Sequence, residues 1–356
     1  MKARIHLILF CIGLFASTAK AQPPRIVVQG GGAPLVFSSI NAALAAAQPN
    51  DKVYLSGGAF NAPSTLLIDK PLHLFGAGIG PDSTVATGIT TITTGAGNVI
   101  LTTAASGSTF TGIIFSPAGN FQYGSTAADD DPTDMVFERC MFTSPVGLGI
   151  SATNPVGPSS SDFRECVFYS NFNGQAGVIA TLEHCVLDLQ LGTGAEVNGF
   201  SGGGLTLRHC VCMGTRIGNS SGCTVENSIF TRTSAPFWQS GGAILINNLL
   251  VSTALVSNMT PSPSSTGNVV GVAANSIFID EVDNSFTWDD DLHLQATSAG
   301  VGMATDGSDV GIYGSATPFK PAGVPFNPHV SSAVIGSSTN ANSELPVNIT
   351  VVAQPN

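Results

Sequence analysis

Six short segments of this chain superpose residue by residue, and one of their columns alternates in charge. They are Phe137-Glu138-Arg139-Cys140-Met141-Phe142, Phe163-Arg164-Glu165-Cys166-Val167-Phe168, Leu182-Glu183-His184-Cys185-Val186-Leu187, Leu207-Arg208-His209-Cys210-Val211-Cys212, Val225-Glu226-Asn227-Ser228-Ile229-Phe230 and Ile246-Asn247-Asn248-Leu249-Leu250-Val251. The second column reads Glu, Arg, Glu, Arg, Glu, Asn, and the fourth reads Cys, Cys, Cys, Cys, Ser, Leu. Fourth-column positions fall at 140, 166, 185, 210, 228 and 249, so the steps run from 18 to 26 residues. A unit this short buries no core of its own and is stable only when stacked on its neighbours. Val, Ile and Phe flanked by Gly, Ser and Asn favour strands and turns, and no 3.6-residue apolar period runs through the region.

Parallel strands in successive coils would lie about 4.8 Å apart. Opposite charges in one column then pair, while like charges repel. Glu138, Arg164, Glu183, Arg208 and Glu226 obey that rule, which predicts a charge ladder on an outer face. At about 0.2–1 kcal/mol per exposed pair, the ladder is a register device more than a stabiliser. Looser copies, Phe110 to Phe115 and Ala273 to Phe278, flank the series, and earlier strands are expected around Val53–Leu55 and Leu72–Phe75. Together they predict roughly ten coils.

Lys2 and Arg4, the apolar run Ile5 to Phe15, and Ala19-Lys20-Ala21 read as an export signal over 1–21, cleaved near Ala21. The expected location is secreted, periplasmic or on the cell surface. No later segment is long and apolar enough for a membrane span. The formal charge falls from −11 to −14 once Lys2, Arg4 and Lys20 are removed. So acidic a chain is a poor partner for nucleic acid, and for polyanions unless calcium bridges the charges. Cys140, Cys166, Cys185 and Cys210 share one column, and Cys212 and Cys223 fall in apolar positions. All six are expected as reduced, inward-facing thiols, because stacked parallel side chains lack the crossed geometry of a disulfide. Ser38 or Ser39 caps an expected short helix whose stripe is Ile40, Ala43, Leu44 and Ala47, placed to cover the open end of the core. The expected organisation is a solenoid over 22–284 and a capping segment and tail over 285–356.

Three features carry a family resemblance. The opening runs Ser39-Ile40-Asn41-Ala42-Ala43-Leu44, Asp51-Lys52-Val53-Tyr54-Leu55, Asp69-Lys70-Pro71-Leu72 and Gly76-Ala77-Gly78. The Asn-Ser-x-Phe turn occurs at Asn227 to Phe230 and at Asn275 to Phe278. The ending runs Asp291-Leu292-His293-Leu294 and then Asp306 to Gly314. In these features the chain resembles the right-handed parallel β-helix proteins of the pectin-lyase-like class, of the secreted bacterial kind. The resemblance implies an all-β solenoid of right-handed parallel β-helix type with a short N-terminal cap helix. It also implies contact with polysaccharide along one face, by a lyase, by a glycoside hydrolase or without catalysis. A non-catalytic structural or adhesive surface rod is the alternative. The adjacent-Asp, Gly-His-Gly and Arg-x-Lys set of the polygalacturonase-like hydrolases is absent, as is the Arg-x-Pro-x-x-Arg pattern of the pectate lyases. Whether the chain is an enzyme stays open at this point.

Catalytic candidates come from two columns. Glu138, Glu183 and Glu226 are carboxylates one coil apart from Arg164 and Arg208, which favours paired, ionised groups over a protonated acid. His184 and His209 stack in the third column with Arg139, Glu165, Asn227 and Asn248. They could serve as a base or as metal ligands, and the simpler reading is a polar ladder at a left-handed turn. Trp238, with Arg216 and Arg232 near it in the repeat, is the candidate sugar-stacking group. The runs Asp129-Asp130-Asp131 with Asp134, Asp289-Asp290-Asp291, and Asp306 with Asp309 do not match a calcium-loop pattern. No metal or cofactor is expected, with calcium left open.

Overall fold

A computed structural model describes residues 24–81, 86–149, 158–189, 196–320, 329–336 and 338–352; the expected leader over 1–21 lies outside them. Each repeat supplies three short strands, as in Met135–Glu138, Met141–Phe142 and Val146–Gly147. Equivalent strands of successive repeats pair in parallel and build three long sheets, two of nine strands and one of twelve. The result is an all-β parallel solenoid of about nine turns, against the ten expected. The twelve-stranded first sheet begins antiparallel, where Ile26–Gln29 pairs with both Leu35–Phe37 and Lys52–Leu55.

The registers of the first five repeats are those read from the sequence. Phe137 pairs with Phe163, Phe163 with Leu182, Leu182 with Leu207, and Leu207 with Val225. Their side chains enter a single core in which the rings of Phe110, Phe137 and Phe163 stack at 4.9 and 4.8 Å. The cysteine column also points inward, and all six thiols are buried and free. Cys166 Sγ donates to Phe137 O at 3.4 Å and Cys185 Sγ to Phe163 O at 3.3 Å, so the thiols cross-link rungs without bonding to one another covalently. The helix Ile40–Ala46 follows Ser39, whose Oγ accepts from Ala42 N, and buries Ile40, Ala43 and Leu44 against this core.

Three expectations are corrected. The sixth repeat is one residue earlier: Val225 pairs with Leu245 and Glu226 with Ile246, so Asn248, not Leu249, occupies the cysteine column. The stretch 260–267, whose Pro- and Ser-rich sequence reads as a loop, contains Ser264–Thr266, the last strand of the first sheet. Residues 273–278 are not a further coil: Ala274–Ser276 is a 3-10 turn, and Phe278–Asp280 pairs antiparallel with Asp291–Leu294.

Adjacent strand residues face opposite ways. In the second sheet Phe142, Phe168 and Leu187 therefore point inward, and Met141, Val167 and Val186 point outward. The outward row continues through Val211, Ile229 and Leu249, yet every one of these residues is buried. Their cover is a strap formed by residues 277–320, which contributes Ile277, Phe286, Leu292, Val310, Ile312 and Phe319 to a second apolar cluster outside the solenoid. The strap runs back along the coils, from Gly300 beside Leu249 to Lys320 beside Glu165. The final described element is an exposed antiparallel hairpin, His329–Ile335 with Val347–Val352.

Candidate functional site

The charged column lies on the outer face of the first sheet in the expected register. Glu138 pairs across with Arg164, Arg164 with Glu183, Glu183 with Arg208, and Arg208 with Glu226. The side chains close only part of the ladder. Arg208 Nε meets Glu226 Oε1 at 2.6 Å, while Arg164 turns to Asp162 on its own strand at 3.2 Å. Neither Glu138 nor Glu183 has an ion-pair partner among the described residues. Glu183 sits in a shallow polar groove with Asp162, Arg164, Thr181 and Arg208.

The third column turns the chain from the first sheet to the second. Arg139, Glu165, His184, His209, Asn227 and Asn247 all have φ between 48° and 54°. The sixth member is Asn247 rather than Asn248, because of the one-residue shift in that repeat. Left-handed backbone costs any side chain something, and Asn least among them. The non-Asn side chains here are held by partners in the column itself and on the strap. Arg139 Nε and Nη2 fork onto the Glu165 carboxylate, both at 3.1 Å, and Lys320 N donates to Glu165 Oε2 at 2.7 Å. His184 Nδ1 lies 3.0 Å from Ile312 O, so it carries the proton and donates; its Nε2 lies 3.0 Å from Ser315 Oγ.

The state of His209 follows by elimination. Thr305 N can only donate, and it meets Asn227 Oδ1 at 3.0 Å. That fixes the amide with Nδ2 facing His209 Nε2 at 3.1 Å. His209 Nε2 must therefore accept, and the proton sits on Nδ1, which has no hydrogen-bond partner. The two imidazoles stack at 5.2 Å. Burial, and then the neighbouring His184, push His209 below its usual value, against the opposing pull of Asp306 and Glu183.

The structure thus divides the catalytic candidates. Glu138, Glu183, Arg208 and Glu226 share an open face, whereas His184 and His209 lie almost fully buried beneath the strap. Residues adjacent in sequence, Glu183 with His184 and Arg208 with His209, end on different surfaces because the left-handed turn falls between them. Sequence reasoning missed Ile312, Ser315 and Thr305 as partners of this column; all are contributed across more than 75 residues of chain.

Of the third group, Trp238 and Arg216 come together and Arg232 lines a cleft of its own. Trp238 belongs to the strand Phe237–Trp238 and pairs with Gly218, where a Cβ would crowd the Glu196 carboxylate and then the indole. The Arg216 guanidinium lies 4.9 Å from the indole centroid and forms an ion pair with Glu196. Arg232 stands close by: its Nε donates to Ser234 Oγ at 2.8 Å and its Nη1 to Gly214 O at 3.1 Å. It lines a separate cleft with Leu189, Gly214, Thr231, Thr233, Ser234 and Asn284. Among the described residues no group of three or more His, Cys, Asp or Glu side chains is arranged to hold a metal ion. No described helix is long and apolar enough to cross a membrane.

No family model matches the chain, and no curated protein or solved structure matches it.

Proposed function

We propose that this is an exported, pectin-lyase-like protein that binds polysaccharide along the open face of the first sheet and does not cleave it. The observation that carries this reading is the partly open ladder. Glu138 and Glu183 lack ion-pair partners among the described residues, Arg164 is drawn aside to Asp162, and Thr181 shares one groove with Asp162, Arg164, Glu183 and Arg208. Acceptors, donors and a hydroxyl therefore recur on rungs about 4.8 Å apart, close enough for one sugar ring to touch two of them. Sugar hydroxyls both donate and accept, so such a face satisfies them in place of water. Binding is favoured over cleavage because the histidines that would act as bases are covered by the strap, away from the carboxylates. The leader-like residues 1–21 and the family resemblance support export and a glycan partner.

The closed Arg208–Glu226 pair favours a second reading, a structural rod whose face is sealed by its own charges. One experiment separates the two. The protein is run in affinity electrophoresis against neutral and acidic polysaccharides, with and without calcium, while reducing ends and ultraviolet absorbance of unsaturated products are followed. Retardation by a neutral polymer, weakened in Glu183→Gln and Thr181→Val and without new ends, is expected. Absence of retardation across the panel supports the rod, and new reducing ends overturn the non-catalytic reading.

A further inference from the structure

Arg232 is an outlier among the arginines of the coils. Arg139, Arg164, Arg208 and Arg216 each meet a carboxylate, whereas Arg232 has no ion-pair partner among the described residues. Its guanidinium is nonetheless fixed, by donation to Ser234 Oγ and to Gly214 O. Two of its five N–H donors are used in these bonds, and the other three remain for a ligand. Burial and the nearby Arg216 destabilise its charge, against partial compensation by Glu196. It faces a cleft of about 290 Å³ at the corner between the second and third sheets, with the hydroxyl-bearing residues Thr231, Thr233 and Ser234 on one side. On the other side stands Asn284, whose Oδ1 is buried without a hydrogen-bond partner. Among the described residues, a fixed cation without an ion-pair partner thus shares a cleft with an amide whose buried oxygen has no hydrogen-bond partner.

We propose that this cleft is a subsite for a single acidic sugar, with the carboxylate or sulfate seated on Arg232 and a neighbouring sugar hydroxyl donating to Asn284. The Asn284 amide reaches that hydroxyl by rotation about its terminal torsion, which is soft. The identity of the natural ligand as a glycan rests on the polysaccharide reading above. The surrounding charge limits its type. The chain has a formal net charge of −11, and Glu281, which accepts from Asn284 N, and Asp283 lie just before Asn284 in the chain. A densely charged polyanion is repelled by that field, whereas one acidic residue on an otherwise neutral glycan meets only the local cation.

The test is calorimetry on the whole chain with methyl glucuronide, methyl glucoside 6-sulfate, neutral methyl glucoside and inorganic sulfate. One or both acidic glycosides should bind at least about tenfold more tightly than the neutral one, the size of one charge-assisted contact. The preferred acid identifies carboxylate or sulfate. Arg232→Met should abolish the preference. Asn284→Gly keeps the positive φ of 63° that this position adopts, and should weaken the acidic glycoside several-fold. Circular dichroism checks that both variants are folded. Equal affinity for acidic and neutral glycosides, or a preference that survives Arg232→Met, overturns the proposal. So does inorganic sulfate binding as tightly as the sulfated glycoside, which marks an adventitious ion only. These probes are monosaccharides and the cleft is off the first sheet, so the Arg232-dependent preference does not report on the open face. Failure of polymer binding with retention of the acidic glycoside therefore sinks the open-face reading alone.

Discussion

The Arg139–Glu165 fork offers the sharpest energetic prediction. Arg139 is 0% exposed and Glu165 is 8% exposed, so both charges are withdrawn from water. Two parallel contacts of 3.1 Å give the bidentate geometry that offsets their desolvation, and Lys320 N adds a third bond to the carboxylate. In Glu165→Gln the shape is preserved, but the guanidinium stays buried opposite a neutral amide. Breaking a buried pair from one side costs about 3–5 kcal/mol. At roughly 2 °C per kcal/mol for a chain of this size, the melting midpoint should fall by about 6–10 °C. Removing both charges, in Arg139→Met with Glu165→Gln, should restore part of the loss and give a coupling energy of about 2–3 kcal/mol. The strained backbone at Arg139, with φ 51°, is common to the single and double variants and cancels from the cycle. Urea unfolding followed by circular dichroism measures all four species. A loss below about 1 kcal/mol in Glu165→Gln, or a double variant equal to the sum of the singles, would refute the reasoning.

Two further predictions concern charge. His209 is held below its usual value when the strap is closed, so the open strap takes up a proton more readily. Strap closure is then fullest above the ordinary imidazole value of about 6.5 and is lost as pH falls below it toward the depressed one. Protonation also places an Nε2–H against the Asn227 amide donor, breaking the bridge to Thr305. Protection factors over 300–320, taken relative to the intrinsic exchange rate at each pH, should fall between pH 7.5 and 5, with Asp306 and Glu183 moderating the effect; an equal fall in His209→Gln would assign it to other groups. On the open face, Arg164→Glu sets three carboxylates in successive rungs between Glu138 and Glu183. The expected loss is at most about 1 kcal/mol and shrinks with salt, so an unchanged midpoint at low salt would count against the ladder's energetic role.

Much of the fold was legible because a stacked repeat writes its register into columns. The Glu–Arg alternation aligned the first five repeats correctly, and the stacked Phe rings follow from the same alignment. The sixth repeat slipped because Asn247-Asn248 offers the turn either of two asparagines. The structure resolves the choice through side-chain chemistry. Asn247 takes the left-handed position, and Asn248 replaces the thiol, donating to Val225 O at 2.9 Å and accepting from Ser228 N at 3.0 Å. The contact of Arg216 with Trp238 was legible for the same reason as the columns: the two residues occupy neighbouring rungs.

The strap was less legible, although the columns contained a signal for it. Columns five and six are both apolar in nearly every repeat, as in Met141-Phe142, Val167-Phe168 and Val186-Leu187. Adjacent strand residues face opposite ways, so only one of these columns can enter the solenoid core. The other demands a cover along the whole row, because soluble chains rarely expose a continuous apolar strip. What the repeats leave unspecified is which segment provides that cover. Residues 300–320 are rich in Gly, Ser and Asp and carry neither a strand nor a helix period. They bind through isolated anchors, Val310, Ile312 and Phe319, with Gly311 passing close to Ile229 where a Cβ would meet Cδ1 at 2.6 Å. The same cover withdraws His184 and His209 from solvent and leaves Glu183 on the open face. A functional reading from the columns alone therefore joins carboxylates and imidazoles that the strap keeps apart.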